Sequence, residues 1–230
     1  LLVNSQVRSA ARELSWRVGI ELTVSIYAIE GDLVPWIQSL ASPPLTAFLS
    51  FQYIYGYVFL LVFPLVAYLA LSDREPFRLL ALAYTYNYAI GLVLYVLFVA
   101  YGPRNLLPGA VESLLYTSWP DSQLLTTQMN TNTNVFPSLH TSLSTTVVLL
   151  AYHTRRIYPV WLLISAGIAG SIVAATLYLG IHWGTDAVAG AVLAFVSVAA
   201  ARRYDPVAAL RDRSETERAR DAFTRVRDSI

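Results

Sequence analysis

Long uncharged apolar runs separated by short polar punctuation set the pattern of this chain. Leu45 to Leu71 carries no charge, and its 27 residues exceed the ~20 that a helix needs to cross a hydrocarbon core. The run predicts a transmembrane helix, with Pro64 as the point of a kink. SDREP at 72–76 reads as a tight polar turn, and Leu79–Tyr101 as a second uncharged span. Leu139–Tyr152 is a shorter apolar helix rich in Ser and Thr, ending at Arg155 and Arg156. Its small hydroxyl side chains suit close packing inside a bundle more than contact with lipid. Ile157–Ile181 is again uncharged and long enough to span, and Ala187–Ala201 makes a last helix closed by Arg202 and Arg203. The expected fold is all-α: a polytopic transmembrane helix bundle with five clear spans, and six in the complete protein.

The pattern weakens at three places. Residues 1–29 interleave Arg8, Arg12, Glu13, Arg17 and Glu21 with Leu14, Trp16, Val18, Ile20 and Leu22, as an amphipathic helix at a membrane surface does. A dip into the bilayer around Val18–Ile29 is the alternative. Glu30, Gly31, Asp32, Pro35, Pro43 and Pro44 then break any continuous span. Gly102–Phe136 is a long irregular stretch, and loops of that length in a bundle are functional or disordered. The resulting division is an interfacial or re-entrant segment over 1–44, a membrane-embedded bundle over 45–204, and a charged tail over 205–230. The chain opens at Leu1 without the basic start, apolar run and small-residue site of a signal peptide.

Composition agrees with the membrane reading: 56% of residues are hydrophobic, 13% are charged, and mean hydropathy is +0.50. A net charge of +1 with scattered arginines gives no basic groove, so nucleic acid is not an expected partner. The absence of cysteine removes disulfides and thiolate chemistry. All 16 basic residues are arginine, so any phosphate clamp must use the forked guanidinium.

Charge also orients the spans. Arg74, Arg78, Arg155, Arg156, Arg202 and Arg203 lie in turns that alternation puts on one side, which the positive-inside rule makes the cytoplasm. A multi-pass protein of the cell membrane is expected, with a cytoplasmic C-terminus. Arg104, His140, His182 and Asp186 then fall at the extracytoplasmic end. A further crossing must precede Leu45, supplied by Val18–Leu40 or by a helix upstream of Leu1; the cost of Glu21, Glu30 and Asp32 in lipid favours the latter.

The chemistry concentrates in Phe136–Ser142, FPSLHTS, and Thr176–Gly190, TLYLGIHWGTDAVAG. On a helix, His182 and Asp186 share a face, so the carboxylate can hold one imidazole nitrogen and leave the other free to react. His140 follows Pro137 and Ser138 at a helix start, where amide N–H groups and the helix dipole favour an anion. Two histidines, a carboxylate, Arg104 and two helix N-termini suggest phosphoryl transfer. The bland reading of His153, beside Arg155 and Arg156 at the other end, is an interfacial hydrogen-bonding residue.

FPSLHTS and YLGIHWGTDAVAG resemble the second and third signature motifs of the type 2 phosphatidic acid phosphatase superfamily, whose usual forms are PSGH and SRxxxxxHxxxD. The similarity runs from about Tyr101 to Ala201. It implies His182 as the nucleophile of a phosphohistidine, Asp186 as its orienting carboxylate, and His140 as the acid that protonates the leaving oxygen. It also implies a six-helix bundle, no cofactor, no metal requirement, and a substrate of phospholipid or polyprenyl-phosphate type presented by the lipid bilayer. The family's first motif, a Lys followed seven residues later by Arg-Pro, is matched only by Arg104 of YGPRN. Leu139 stands for the glycine of PSGH, and Ala175 and Thr176 for the Ser-Arg of the third motif. The missing arginine and the run Thr176–Leu179 are similar to the inositol-phosphoceramide synthase branch, which transfers a phospho-headgroup between lipids. Hydrolysis and transfer both stay open.

Arg104, Ser138 and the amides near Ser138 and Trp183 are the expected phosphate ligands. Thr141 and Tyr178 are further candidates, with packing or capping an equal reading for them and for Ser138. Three rivals remain at this stage: a zinc site on His182, Asp186 and His140, an anion or lipid-phosphate transporter without turnover, and a structural membrane protein whose site has decayed. Phe51, Tyr53, Tyr55, Tyr57 and Phe59 could line a lipid-tail groove or form an interfacial aromatic belt.

Overall fold

The computed structural model describes residues 13–119 and 134–205. Residues 13–18 are helical, and the chain then passes through a two-residue strand β1 (Ile20–Glu21) and short helices α1 (Thr23–Glu30) and α2 (Leu33–Gln38). The bundle follows as α3 (Pro43–Leu69), α4 (Glu75–Leu97), α7 (Leu139–His153), α8 (Pro159–Tyr178) and α9 (Gly184–Arg203). Between α4 and α7 lie a second two-residue strand β2 (Phe98–Val99) and short helices α5 (Pro103–Leu106) and α6 (Leu114–Ser118). β1 and β2 pair in parallel, Ile20 with Phe98 and Glu21 with Val99.

Among the described residues, α3, α4, α8 and α9 are long and apolar enough to cross a membrane, so this is a multi-pass helical membrane protein. Apolar side chains such as Val62, Val66, Leu163, Val188 and Phe195 point outward, as a lipid-facing surface requires. Helix α7, at 15 residues, is only about 22 Å long by the usual rise. It packs against α3, α4, α8 and α9 and so forms the centre of the bundle. Ser142, Ser144 and Thr146 on it are fully buried, and Asn87 of α4 donates to Ser142 Oγ at 2.6 Å and Thr146 Oγ1 at 3.2 Å. Its Ser and Thr side chains therefore face other helices, as the composition suggested.

Several element boundaries differ from the sequence expectation for local reasons. Helix α4 begins at Glu75, because Pro76 fits the first turn and Glu75 complements the dipole there, and it stops at Leu97 where the chain extends into β2. Pro64 sits inside α3, and the backbone irregularity in that helix is a π turn over Gln52–Gly56. Val18–Leu40 does not form a crossing. Gly31, at φ 54°, separates α1 from α2, and the eight- and six-residue helices pack as a cap on one end of the bundle. Their Ile26 and Val34 are buried with Ala100, Val111 and Trp183. A single amphipathic helix over 1–29 is likewise replaced, within the described residues, by a helix break at Gly19, where a Cβ would press on Ser15 O and Val99. Arg8 and Arg12 lie outside the described residues, as do 120–133 of the long loop and the tail from 206.

The end opposite the cap gathers the polar turns. Arg78 pairs with Glu75 at 2.6 Å and with Asp205, and Arg202 meets His153 Nδ1 at 3.3 Å. The turns after α3, α7 and α9 thus share one end, as alternation requires, and His153 serves there as a hydrogen-bonding surface residue.

Candidate active site

At the cap end, two helix starts are clamped together. Ser138 is the N-cap of α7, its Oγ accepting from Thr141 N at 3.3 Å. Its own backbone N–H donates to the carbonyl of Asp186 in the first turn of α9 at 3.0 Å. Gly190, one turn further along α9, makes the approach feasible: a Cβ there would collide with Ser138 O and lie 3.2 Å from Thr141 Cβ. This clamp brings the His140 and His182 rings to a centroid distance of 6.1 Å, with their planes at 60°.

His182 is not on the helix that carries Asp186. Helix α8 ends at Tyr178, the chain turns at Gly180 with φ 67°, and α9 begins at Gly184 with Trp183 as N-cap. His182 therefore occupies the connecting turn, where Thr176 O accepts from both Ile181 N and His182 N at 3.0 Å. Asp186 reaches back as a capping carboxylate: Oδ2 accepts from Trp183 N at 2.9 Å and lies 3.4 Å from His182 Nδ1. Because a carboxylate only accepts, Nδ1 carries the proton and Nε2 is left with its lone pair. His182 and Asp186 do pair, but across the N-terminal turn of α9 rather than along one helical face. Both residues are buried, Asp186 completely, and its Oδ1 meets no partner among the described residues.

Arg104 enters from α5, the short helix after β2. Its backbone N–H donates to Gly180 O at 3.1 Å, two residues before His182, and Gly102 lies so close that a Cβ would press on Ile181 O. The guanidinium is buried over the Tyr116 ring, 5.0 Å from its centroid, and Nη1 has no acceptor among the described residues. A buried, unspent guanidinium N–H needs an anion or water to satisfy it.

The two helix N-termini are not equivalent. Those near Trp183 are already occupied: Trp183 N by Asp186, and Gly184 N and Thr185 N by the Glu30 carboxylate at 2.8 and 2.5 Å. Glu30 arrives from α1, and nothing local in the sequence announces a cap from 154 residues upstream. The expectation of phosphate-binding amides at Trp183 therefore fails, whereas at α7 the amides of Leu139 and His140 meet no acceptor among the described residues. Ser138 has the capping role already described. Tyr178 is engaged in packing: its hydroxyl meets Thr46 Oγ1 at 2.7 Å and accepts from Ser42 N at 3.2 Å.

Two further residues were singled out only as members of an aromatic run. Tyr53 stacks on His140 at 4.6 Å and Tyr57 leans on it at 4.5 Å. Among the described residues no three His, Asp or Glu side chains gather with the spacing of a metal site.

No curated protein and no solved structure matches this chain significantly. A family profile described as the PAP2 superfamily matches residues 27–200, a span that starts within α1, ends within α9 and takes in Arg104, both histidines and Asp186. With more than half of its length matched to that profile, this chain belongs to the PAP2 superfamily.

Proposed function

We propose that this protein is an integral-membrane lipid-phosphate phosphatase that works through a phosphohistidine on His182. Membership of the superfamily supports a phosphatase of lipid phosphates, and the observation that carries the finer reading is the meeting of two imidazoles 6.1 Å apart, one backed by a carboxylate.

His182 Nε2 attacks phosphorus in line with the lipid oxygen, forming the N–P bond as the P–O bond breaks. His140, as the imidazolium, gives its proton to the departing lipid alkoxide. Asp186 holds Nδ1–H and balances the positive charge that the ring acquires. Arg104 and the unspent amides of Leu139 and His140 donate to the non-bridging oxygens, where charge must be met in a water-poor site. Water then attacks phosphorus and gives its proton to His140, the N–P bond breaks, and its electron pair returns to His182. No step calls for a metal ion.

Transfer to a lipid hydroxyl uses the same first half, with a lipid acceptor in place of water. The run Thr176–Leu179, which prompted that reading, is occupied with structural contacts: Thr176 Oγ1 donates to Val173 O at 2.7 Å and Tyr178 is tied to Thr46. The inositol-phosphoceramide synthase branch therefore draws no support from these residues, and hydrolysis is the conclusion. The excess of arginine at the opposite end supports an extracytoplasmic site and a cytoplasmic C-terminus.

The test is a product assay in detergent with EDTA present, offering a lipid phosphate with and without lipid alcohols. Inorganic phosphate released by the parent protein, and lost in His182→Ala and His140→Ala, is the expected result. Turnover retained in both variants would refute the mechanism, and a new phosphorylated lipid formed in place of inorganic phosphate would make the protein a transferase.

A further inference from the structure

We infer that Tyr53 and Tyr57 are positioning residues that hold the His140 ring edge-on to the leaving oxygen, so that they govern turnover of substrates whose leaving group must be protonated. The inference rests on the reading of His140 as the general acid.

The two histidines are held by different means. His182 has a carboxylate behind it, whereas among the described residues no hydrogen bond holds the imidazole of His140. What contacts that ring is aromatic. Tyr53 stacks on it with planes 27° apart, Tyr57 lies against it at 43°, and the third neighbour is His182 itself at 60°. Stacking covers the faces of an imidazole and leaves its rim, where both nitrogens sit, available to donate. An acid held by hydrogen bonds would have to surrender one of them to reach substrate; an acid held by its faces does not.

Both tyrosines come from α3: Tyr53 lies within its π turn over Gln52–Gly56, and Tyr57 follows it directly. Single π turns inside α-helices recur at functional sites, where the extra residue re-aims side chains. Tyr53 is buried and shares a cluster with Leu115, Tyr178 and Leu179, so its ring is fixed from behind by α6 and α8. No ion pair among the described residues includes His140, and its aromatic neighbours are these two tyrosines and His182. The pair thus restrains an acid that has no carboxylate partner of its own.

The experiment compares leaving groups. Tyr57→Leu, Tyr57→Phe and the double variant Tyr53→Leu/Tyr57→Leu are assayed on a short-chain alkyl phosphate and on a nitro-substituted aryl phosphate, whose phenolate departs without a proton. General acid catalysis contributes on the order of 10²–10⁴-fold, so partial misplacement of the acid should lower kcat on the alkyl substrate at least about tenfold more than on the aryl one. Tyr57→Phe, which keeps the ring, should restore the parent ratio. An equal fall on both substrates, or no fall on either, overturns the proposal by reducing the tyrosines to packing. Failure of the reading beneath it is separable: a parent protein that forms no phosphohistidine from the aryl phosphate contradicts the nucleophile itself, whatever the tyrosine variants do.

Discussion

The backbone N–H of Ser138 donates to the carbonyl of Asp186 at 3.0 Å, joining the first turn of α9 to the N-cap of α7 across 48 positions of sequence. Each residue also caps its own helix, Ser138 through its hydroxyl and Asp186 through its carboxylate. One hydrogen bond therefore fixes the separation of the two histidine-bearing segments.

That separation depends on Gly190, which has no room for a side chain against Ser138 and Thr141. Gly190→Ala should cost about 1–3 kcal/mol, the range for overpacking a filled site. It should also lower kcat, because pushing α9 from α7 moves His182 from His140. Thermal unfolding in detergent beside a phosphate-release assay measures both. A variant with unchanged unfolding and unchanged turnover would show that the close approach is dispensable.

Asp186→Asn separates charge from geometry. Asparagine with its oxygen in the place of Oδ2 keeps both contacts, to Trp183 N–H and His182 Nδ1, and puts its NH₂ where Oδ1 now has no partner. Folding should survive while kcat falls by roughly 10²–10⁴-fold, because the neutral amide no longer balances a charged or phosphorylated imidazole. Asp186→Ala removes the cap as well and should lose a further ~1 kcal/mol of stability. Full activity in Asp186→Asn would mean that only orientation matters.

Glu30 ties the cap to α9 through the amides of Gly184 and Thr185. Glu30→Ala leaves both N–H groups unmet in a half-buried position, and a loss of about 0.5–2 kcal/mol is expected by analogy with other helix caps. Glu30→Gln, which retains one acceptor oxygen, should lose less. Equal stability of parent and both variants would show that water replaces the carboxylate without penalty.

Orientation can be read directly because the natural sequence offers no cysteine to interfere. Ser39 lies exposed after α2 at the cap end, and Ser72 lies exposed in the turn after α3. In intact cells Ser39→Cys should react with a membrane-impermeant maleimide, and Ser72→Cys only after permeabilisation. The reverse pattern would put the site on the cytoplasmic side.

The bundle was legible because lipid demands long uncharged runs, and those runs need no tertiary information to be seen. Of the candidate site, the residue types at helix starts were legible, and His140, His182, Asp186, Arg104 and Ser138 lie together at the cap end of the fold. Three features escaped. The charges of Glu21, Glu30 and Asp32 argue against a crossing over Val18–Leu40, but nothing local announces the two packed helices that Gly31 and the partners offered by Ala100, Val111 and Trp183 make of it. Glu30 reads as a cost in lipid, because its two amide partners lie 154 and 155 residues downstream. Tyr53 and Tyr57 read as belt aromatics, because only the folded chain brings α3 beside His140.

The central claim is that His182 becomes covalently phosphorylated. Purified protein mixed briefly with a substrate labelled at phosphorus, quenched in denaturant at alkaline pH and mapped by peptide, tests it most directly. The account predicts label on the peptide containing His182, stable to base, lost in mild acid, absent from His182→Ala, and accumulating when discharge by water is slowed. Phosphate released at the parent rate with no label on that peptide, or label stable in acid, would contradict it.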